Sequence, residues 1–336
     1  MAKATSKKSQ QGSLASVSGT VVLVGAGKMG GALLEGWLAR KLNPKKVVVI
    51  DPQPSKQIKA LAKRGVKINP KGAIAPAAAM VVAVKPQVAP DIVPKLAGYV
   101  GAKTVVVSIM AGKTMAFLEN ALPKAAIIRT MPNTPAAIGR GITVAVGNRG
   151  VTARDRKLAH ALLAASGSVE WVDDEALMDA VTAVSGSGPA YIFLLAESLA
   201  RAGVAAGLPA ALAEKLARET VSGSGELLHQ SPLDAATLRQ NVTSPGGTTA
   251  AALSVLMAAD GIDPLLTRAV AAAAKRAWDA EAARLKAEAA AFVKDVVPAG
   301  QAKWEAELRG ALAAWRILDP GKLTSARGAI LETRPD

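Results

Sequence analysis

Residues 20–30 read Thr20-Val21-Val22-Leu23-Val24-Gly25-Ala26-Gly27-Lys28-Met29-Gly30, and a helical pattern follows as far as Arg40. The β-branched run predicts a short buried strand, the glycines a tight turn, and the rest a helix. In that setting each glycine of GxGxxG has a task. Gly25 permits the turn, Gly27 lets a pyrophosphate approach the backbone, and Gly30 lets the helix pack closely. A second strand, Lys46–Ile50, ends at Asp51. This is about the twenty-residue spacing at which an acidic side chain meets the ribose 2′-hydroxyl of a dinucleotide. A purely structural glycine turn is the competing reading, and it leaves the strand, helix and acidic residue unexplained.

The same rhythm continues. Apolar strand-like runs recur at Met80–Val84, Thr104–Ile109, Ala126–Met131 and Ile142–Val146, and a last helix and strand lie within Ala153–Val172. Short β-branched runs alternating with helices predict an α/β fold with a parallel, doubly wound sheet of Rossmann type over residues 20–173. Ligands of such sheets sit beyond the strand C-termini. There the sequence places Val84-Lys85-Pro86-Gln87, Ala111-Gly112-Lys113 and Pro132-Asn133-Thr134-Pro135. Each is plausible turn chemistry by itself. Their shared edge makes Val84, Lys85, Pro86, Gln87, Ala111, Gly112 and Asn133 candidates for the nicotinamide end of the cofactor.

From Asp174 the chain turns Ala- and Leu-rich with helical spacing, and residues 174–281 are expected to be all-helical. Ser185-Gly186-Ser187-Gly188-Pro189-Ala190-Tyr191 interrupts the first long helix, which implies close approach of backbone to a ligand or to a partner element. Asn241-Val242-Thr243-Ser244-Pro245-Gly246-Gly247-Thr248-Thr249 reads as a helix start built to hold an anion. Ser244 is expected to cap, Pro245 to occupy the first turn, and Ala250–Ala259 to continue the helix. Free N–H groups there form a carboxylate or phosphate site; an ordinary capped helix is the alternative.

Composition narrows the function. With no cysteine, thiol catalysis and disulfides are excluded, and two histidines give no basis for a metal centre. No apolar run is long enough to span a bilayer, so a cytoplasmic chain without membrane contact is expected. Residues 1–19 are a Ser/Lys/Gln segment expected to be a disordered basic tail. A helical extension is expected over 282–336, with Leu308, Leu312, Trp315 and Leu318 forming an apolar stripe. The formal charge of +15 raises nucleic-acid binding, but it is dispersed and aromatic residues are only 3%. The one concentration lies between Arg40 and Lys71, and includes Lys56. It surrounds the expected adenosine end and favours a 2′-phosphate, whereas Asp51 favours a free hydroxyl.

Taken together, Gly25–Gly30, Ala83–Gln87, Arg129–Pro135, Asp179–Tyr191 and Asn241–Thr249 make the chain resemble the pyrroline-5-carboxylate reductases. The resemblance implies a Rossmann domain followed by an all-helical dimerisation domain, a homodimer or higher oligomer, and reduction of 1-pyrroline-5-carboxylate to L-proline by NADPH or NADH. It implies cofactor contacts at Gly25, Gly27, Lys28, Met29 and Gly30. The substrate carboxylate is expected at Asn241, Ser244, Gly246, Gly247, Thr248 and Thr249, with the Ser244 and Thr249 hydroxyls donating. Thr182 and Ser185 fall near the ring nitrogen. Asp174–Ala200 holds no lysine or histidine. That disfavours the main rival, a β-hydroxyacid-type dehydrogenase, which needs a proton donor. A non-catalytic dinucleotide sensor is the remaining alternative.

Overall fold

The computed structural model describes residues 13–71 and 77–276, with Ala283 and Lys286 beyond them. The chain divides into two compact units, Met1–Ala274 and Lys275–Asp336. Most of the expected basic tail and nearly all of the C-terminal extension, with its Leu308–Leu318 stripe, lie outside the described residues.

Eight strands form one sheet: β1 (Val21–Val24), β2 (Val47–Ile50), β3 (Lys67–Ile68), β4 (Ala79–Val82), β5 (Val105–Ser108), β6 (Ala126–Pro132), β7 (Gly141–Gly147) and β8 (Gly167–Trp171), in the order β3-β2-β1-β4-β5-β6-β7-β8. The valine-rich runs follow from burial on both faces. Val21 and Leu23 join a core with Leu34 and Trp37 of helix α1 (Lys28–Ala39) and Leu162 of a later helix. Val22 and Val24 point to the opposite core, with Leu96, Leu118 and Ile127. Helices α2 (Lys56–Ala60), α3 (Ala89–Ile92), α4 (Met115–Ala121) and α5 (Ala153–Leu163) complete the layers. The Trp37 indole N–H, fully buried, donates to the Leu162 carbonyl at 2.9 Å and ties α1 to α5.

Two features depart from the expected parallel sheet. β7 runs antiparallel to β6, with Ile128 opposite Gly147 and Pro132 opposite Thr143. The connection 133–140 is too short for a crossover, which takes a dozen or more residues. β8 then pairs parallel to β7 through α5. The two-residue β3 has no hydrophobic run to announce it, and it pairs with β2 at the sheet edge.

The helical part opens with α6 (Met178–Val181), a π-turn (Thr182–Gly186) and α7 (Gly188–Ala205). It continues through α8 (Ala210–Gln230), α9 (Ala235–Asn241) and α10 (Thr248–Leu256), and is helical again from residue 262. Its fully buried apolar residues, among those described, are Met178, Ala183, Ala213 and Ala217. Phe193 and Leu194 on α7 and Val255 on α10 stand 63%, 55% and 70% exposed. Exposed apolar side chains on this scale mark an interaction surface. No described helix is long and apolar enough to cross a membrane.

Candidate active site

The glycine loop has the geometry its sequence requires. Gly25 adopts φ +89°, and a Cβ there would lie 2.7 Å from the Ala83 carbonyl oxygen. A Cβ on Gly30 would lie 2.2 Å from the Gly25 carbonyl oxygen, so any side chain would force helix and loop apart. A Cβ on Gly27 would meet nothing within 4 Å, so that side of the backbone is open to a ligand. Gly27 caps α1 without a side-chain acceptor, and the first turn holds no acidic residue. Gly31 is the first amide to bond back, to the Gly27 carbonyl at 2.7 Å. The amides of Lys28, Met29 and Gly30 therefore face outward at the positive end of the helix, which suits a diphosphate.

Asp51 does more than terminate β2. Its Oδ2 accepts from the Ala26 amide and its Oδ1 from the Gln53 amide, both at 2.7 Å. Asn69 brackets its backbone: the Asp51 amide donates to Asn69 Oδ1 at 2.9 Å, and Asn69 Nδ2 donates to the Asp51 carbonyl at 2.6 Å. The carboxylate thus fixes the glycine loop while keeping lone pairs for a ribose. Its charge is partly answered by two amides, which softens the repulsion of a 2′-phosphate that the sequence suggests. Lys56 opens α2 and is exposed.

The remaining cofactor candidates follow strand C-termini along one edge. Val84 and Lys85 lead from β4 into a 3₁₀ turn at Pro86–Val88, with Lys85 and Gln87 exposed. Ala111 and Gly112 form an exposed turn after β5. Asn133 follows β6, and its Oδ1 accepts from the Ile142 amide at 2.9 Å. That bond commits part of this side chain to shaping the β6–β7 turn.

The interruption in the first long helix is a π-turn, in which the Ser187 amide donates to the Thr182 carbonyl at 2.8 Å. Such turns cluster at functional sites. A Cβ on Gly186 would lie 2.5 Å from Met131 Cε, so glycine here lets the turn rest on the C-terminal end of β6. The contact brings Thr182 and Ser185 to the cofactor edge. Both hydroxyls are committed as donors: Thr182 Oγ1 to the Met178 carbonyl at 2.8 Å, and Ser185 Oγ to the Val181 carbonyl at 3.0 Å. Each oxygen retains lone pairs and is set to accept.

A clamp at this junction escaped the sequence reading. Arg129, on buried β6, has a side chain 7% exposed, and its Nη1 meets Glu175 Oε1 at 2.5 Å. The same carboxylate oxygen accepts from the Met115 amide at the start of α4, at 2.7 Å. Glu175 thereby pins the start of the helical part to both β6 and α4. The available signal was the lone charge in the strand Ala126–Met131, since a buried guanidinium requires a carboxylate. Farther along, Arg140 meets both oxygens of Glu226 on α8, at 2.6 and 2.8 Å. A hydrogen bond from Gln230 and the nearby Arg140 charge hold the Glu226 carboxyl below its ordinary pKa.

The segment Asn241–Thr249 requires a correction. Ser244 does not cap the helix, and Pro245 is not in its first turn. The Gly247 amide donates to the Ser244 carbonyl at 3.0 Å across Pro245 and Gly246, with Gly246 at φ +67°. Proline followed by a positive-φ glycine is the signature of a type II turn. Helix α10 therefore starts at Thr248 rather than at Pro245, with Gly247 as a cap lacking any side-chain acceptor, and ends at Leu256 rather than Ala259. Its first backbone bond runs from the Ala251 amide to the Gly247 carbonyl, so the amides of Thr248, Thr249 and Ala250 precede the ladder. These free amides lie three residues downstream of the expected helix start. The hydrogen bonds described for 241–249 are all local; Asn241 ends α9, and Ser244 is exposed.

Comparison with known proteins places these features. Residues 175–279 match the family model described as pyrroline-5-carboxylate reductase dimerisation, and residues 20–112 match that of the NADP oxidoreductase, coenzyme F420-dependent family. A pyrroline-5-carboxylate reductase of Synechocystis sp. is 40% identical over 237 residues, covering 70% of this chain and 88% of the relative. The solved structure of a pyrroline-5-carboxylate reductase from Coxiella burnetii superposes with a TM-score of 0.73 at 32% identity, covering 78% of this chain and 98% of that one. The Plasmodium falciparum pyrroline carboxylate reductase, solved with NADP bound, gives 0.63 at 28% identity, covering 77% and 96%. With relatives at this identity matched over most of their length, and with the dimerisation model matching residues 175–279, the chain belongs to the pyrroline-5-carboxylate reductase family.

Proposed function

We infer how this chain divides the labour of reducing 1-pyrroline-5-carboxylate to L-proline. NAD(P)H, when bound, supplies the hydride that adds to the ring iminium carbon. The glycine loop Gly25–Gly30 and the free amides of α1 hold the diphosphate, Asp51 and Lys56 meet the adenosine end, and Val84–Gln87, Ala111, Gly112 and Asn133 frame the nicotinamide. The substrate carboxylate rests on the start of α10, on the amides of Thr248 and Thr249 and the hydroxyls of Ser244 and Thr249. Asn241, Gly246 and Gly247 shape that turn.

The observation that carries this reading is the state of Thr182 and Ser185. Their hydroxyl hydrogens are held by backbone carbonyls, so they accept rather than donate. A protonated imine presents an N–H and needs an acceptor, whereas a ketone needs an acid at its oxygen. With no lysine or histidine in Asp174–Ala200, the residues here suit the iminium. Catalysis then rests mainly on orienting two reactants, which is a large effect by itself. We assign residues 20–173 to the dinucleotide domain and 174–281 to the dimerisation and substrate domain. Residues 282–336 are taken as dispensable for chemistry, and the cytoplasm as the compartment. The test is 1-pyrroline, which has the imine but no carboxylate. It should be reduced with a strongly raised KM, and Ser244→Ala should raise KM for the carboxylate-bearing imine alone. Equal effects on both substrates would remove the turn from the site.

A further inference from the structure

Away from the dinucleotide edge, a cavity of about 710 Å³ opens between residues 13–18, the C-terminal end of α1 and one face of α5. Its lining shares no residue with the glycine loop or the strand-end turns. Arg40, at the cavity, is the C-cap of α1. It lies about 18 Å from the amides that serve the diphosphate, from the rise of a twelve-residue helix.

The cavity's charge is one-sided. Arg40, Arg154, Lys157 and His160 line it, together with Ser16 and Ser168, and no acidic residue does. Arg154 and Lys157 share a face of α5 because they are three residues apart. Arg40 is the unusual member. Its Nη2 is sealed from water and has no hydrogen-bond partner among the described residues. Burial holds the guanidinium below its ordinary pKa, and no carboxylate among the described residues lines the cavity to offset it. Buried donors are normally satisfied, and an orphaned one implies an acceptor that arrives from elsewhere. Nothing local competes for it. The Arg40 backbone is already anchored, its carbonyl accepting from the Leu14 amide at 2.8 Å.

We propose that this cavity is a second anion site, built to take a small organophosphate whose phosphoryl group rests on Arg40 between Arg154 and Lys157. Three permanent cations without a counter-charge favour a dianion over a single carboxylate. A guanidinium turned toward such a group gains paired, charge-assisted hydrogen bonds in place of a missing one. Leu14, Val17 and Leu158 on the same wall give an apolar bed for the rest of the molecule. The volume lies within the range of small-molecule sites.

The experiment titrates inorganic phosphate and then AMP into the full-length protein saturated with NADPH, so that the cofactor's phosphate sites are filled. Binding is read by calorimetry and by thermal shift, with chloride at matched ionic strength as control. Saturable binding of phosphate is expected, tighter for AMP. Arg40→Gln should weaken it about 10- to 150-fold, the loss of a charge-assisted bond. Arg154→Gln and Lys157→Gln, at exposed positions that fold independently of the outcome, should each weaken it about two- to fivefold. Binding that is absent, that chloride reproduces, or that all three variants leave unchanged would overturn the site.

Discussion

Replacing Glu175 by alanine tests what holds the junction of the two parts together. The substitution leaves Arg129, 7% exposed in β6, without its carboxylate and leaves the Met115 amide without an acceptor. Breaking a buried pair by removing one partner costs about 3–5 kcal/mol. Glu175 is 32% exposed, so water can partly replace it and the lower end applies. The lost bond to α4 adds about 1 kcal/mol. For a unit of this size each kcal/mol shifts Tm by about 2–4 °C, so a loss of about 4 kcal/mol should lower Tm by about 8–16 °C. Scanning fluorimetry at fixed protein concentration measures it, because dimer stability depends on concentration. Glu175→Gln keeps an oxygen for Met115 and should lose less. Arg129→Met combined with Glu175→Leu should recover most of the loss, since an apolar pair replaces an ionic one at little cost. A Tm for Glu175→Ala within about 2 °C of the parent would refute the reasoning.

Other outcomes follow from the same geometry. Thr249→Val keeps shape but removes a donor, so kcat/KM should fall roughly 10- to 150-fold, mostly through KM for the imine, with NAD(P)H affinity unchanged in direct titration. Gly30→Ala puts a Cβ 2.2 Å from the Gly25 carbonyl oxygen and must displace the loop; cofactor Kd should rise at least about tenfold, the equivalent of 1.4 kcal/mol. Both cofactors should be used, with any preference for NADPH shrinking between low and high salt, because the lysines near Asp51 are exposed and screened. A preference that ignores salt would point to a direct phosphate contact, with Lys56 the first to substitute.

The sheet and its glycine loop were legible because each rests on local chemistry: β-branched runs for strands buried on both faces, and glycines where Gly25 turns and Gly30 touches. The direction of β7 was not, since runs of alternating apolar residues look alike whichever way the chain returns; only the short link 133–140 carries that information. Ser244 was misread because SPGG fits both a capped helix and a type II turn, and the positive φ of Gly246 decides between them. The π-turn left its mark as misplaced glycines, but its contact with Met131 is tertiary. Arg129 and Glu175 lie 46 residues apart, and no local pattern connects them.

The central claim is that the site reduces a cyclic iminium without an acid from the protein. The direct measurement follows NAD(P)H absorbance on adding 1-pyrroline-5-carboxylate, and in parallel a β-keto acid, with L-proline quantified at the end. Oxidation with the imine, one proline for each NAD(P)H consumed and no turnover of the keto acid is the predicted result. No oxidation with the imine, or faster turnover of the keto acid, would contradict the account.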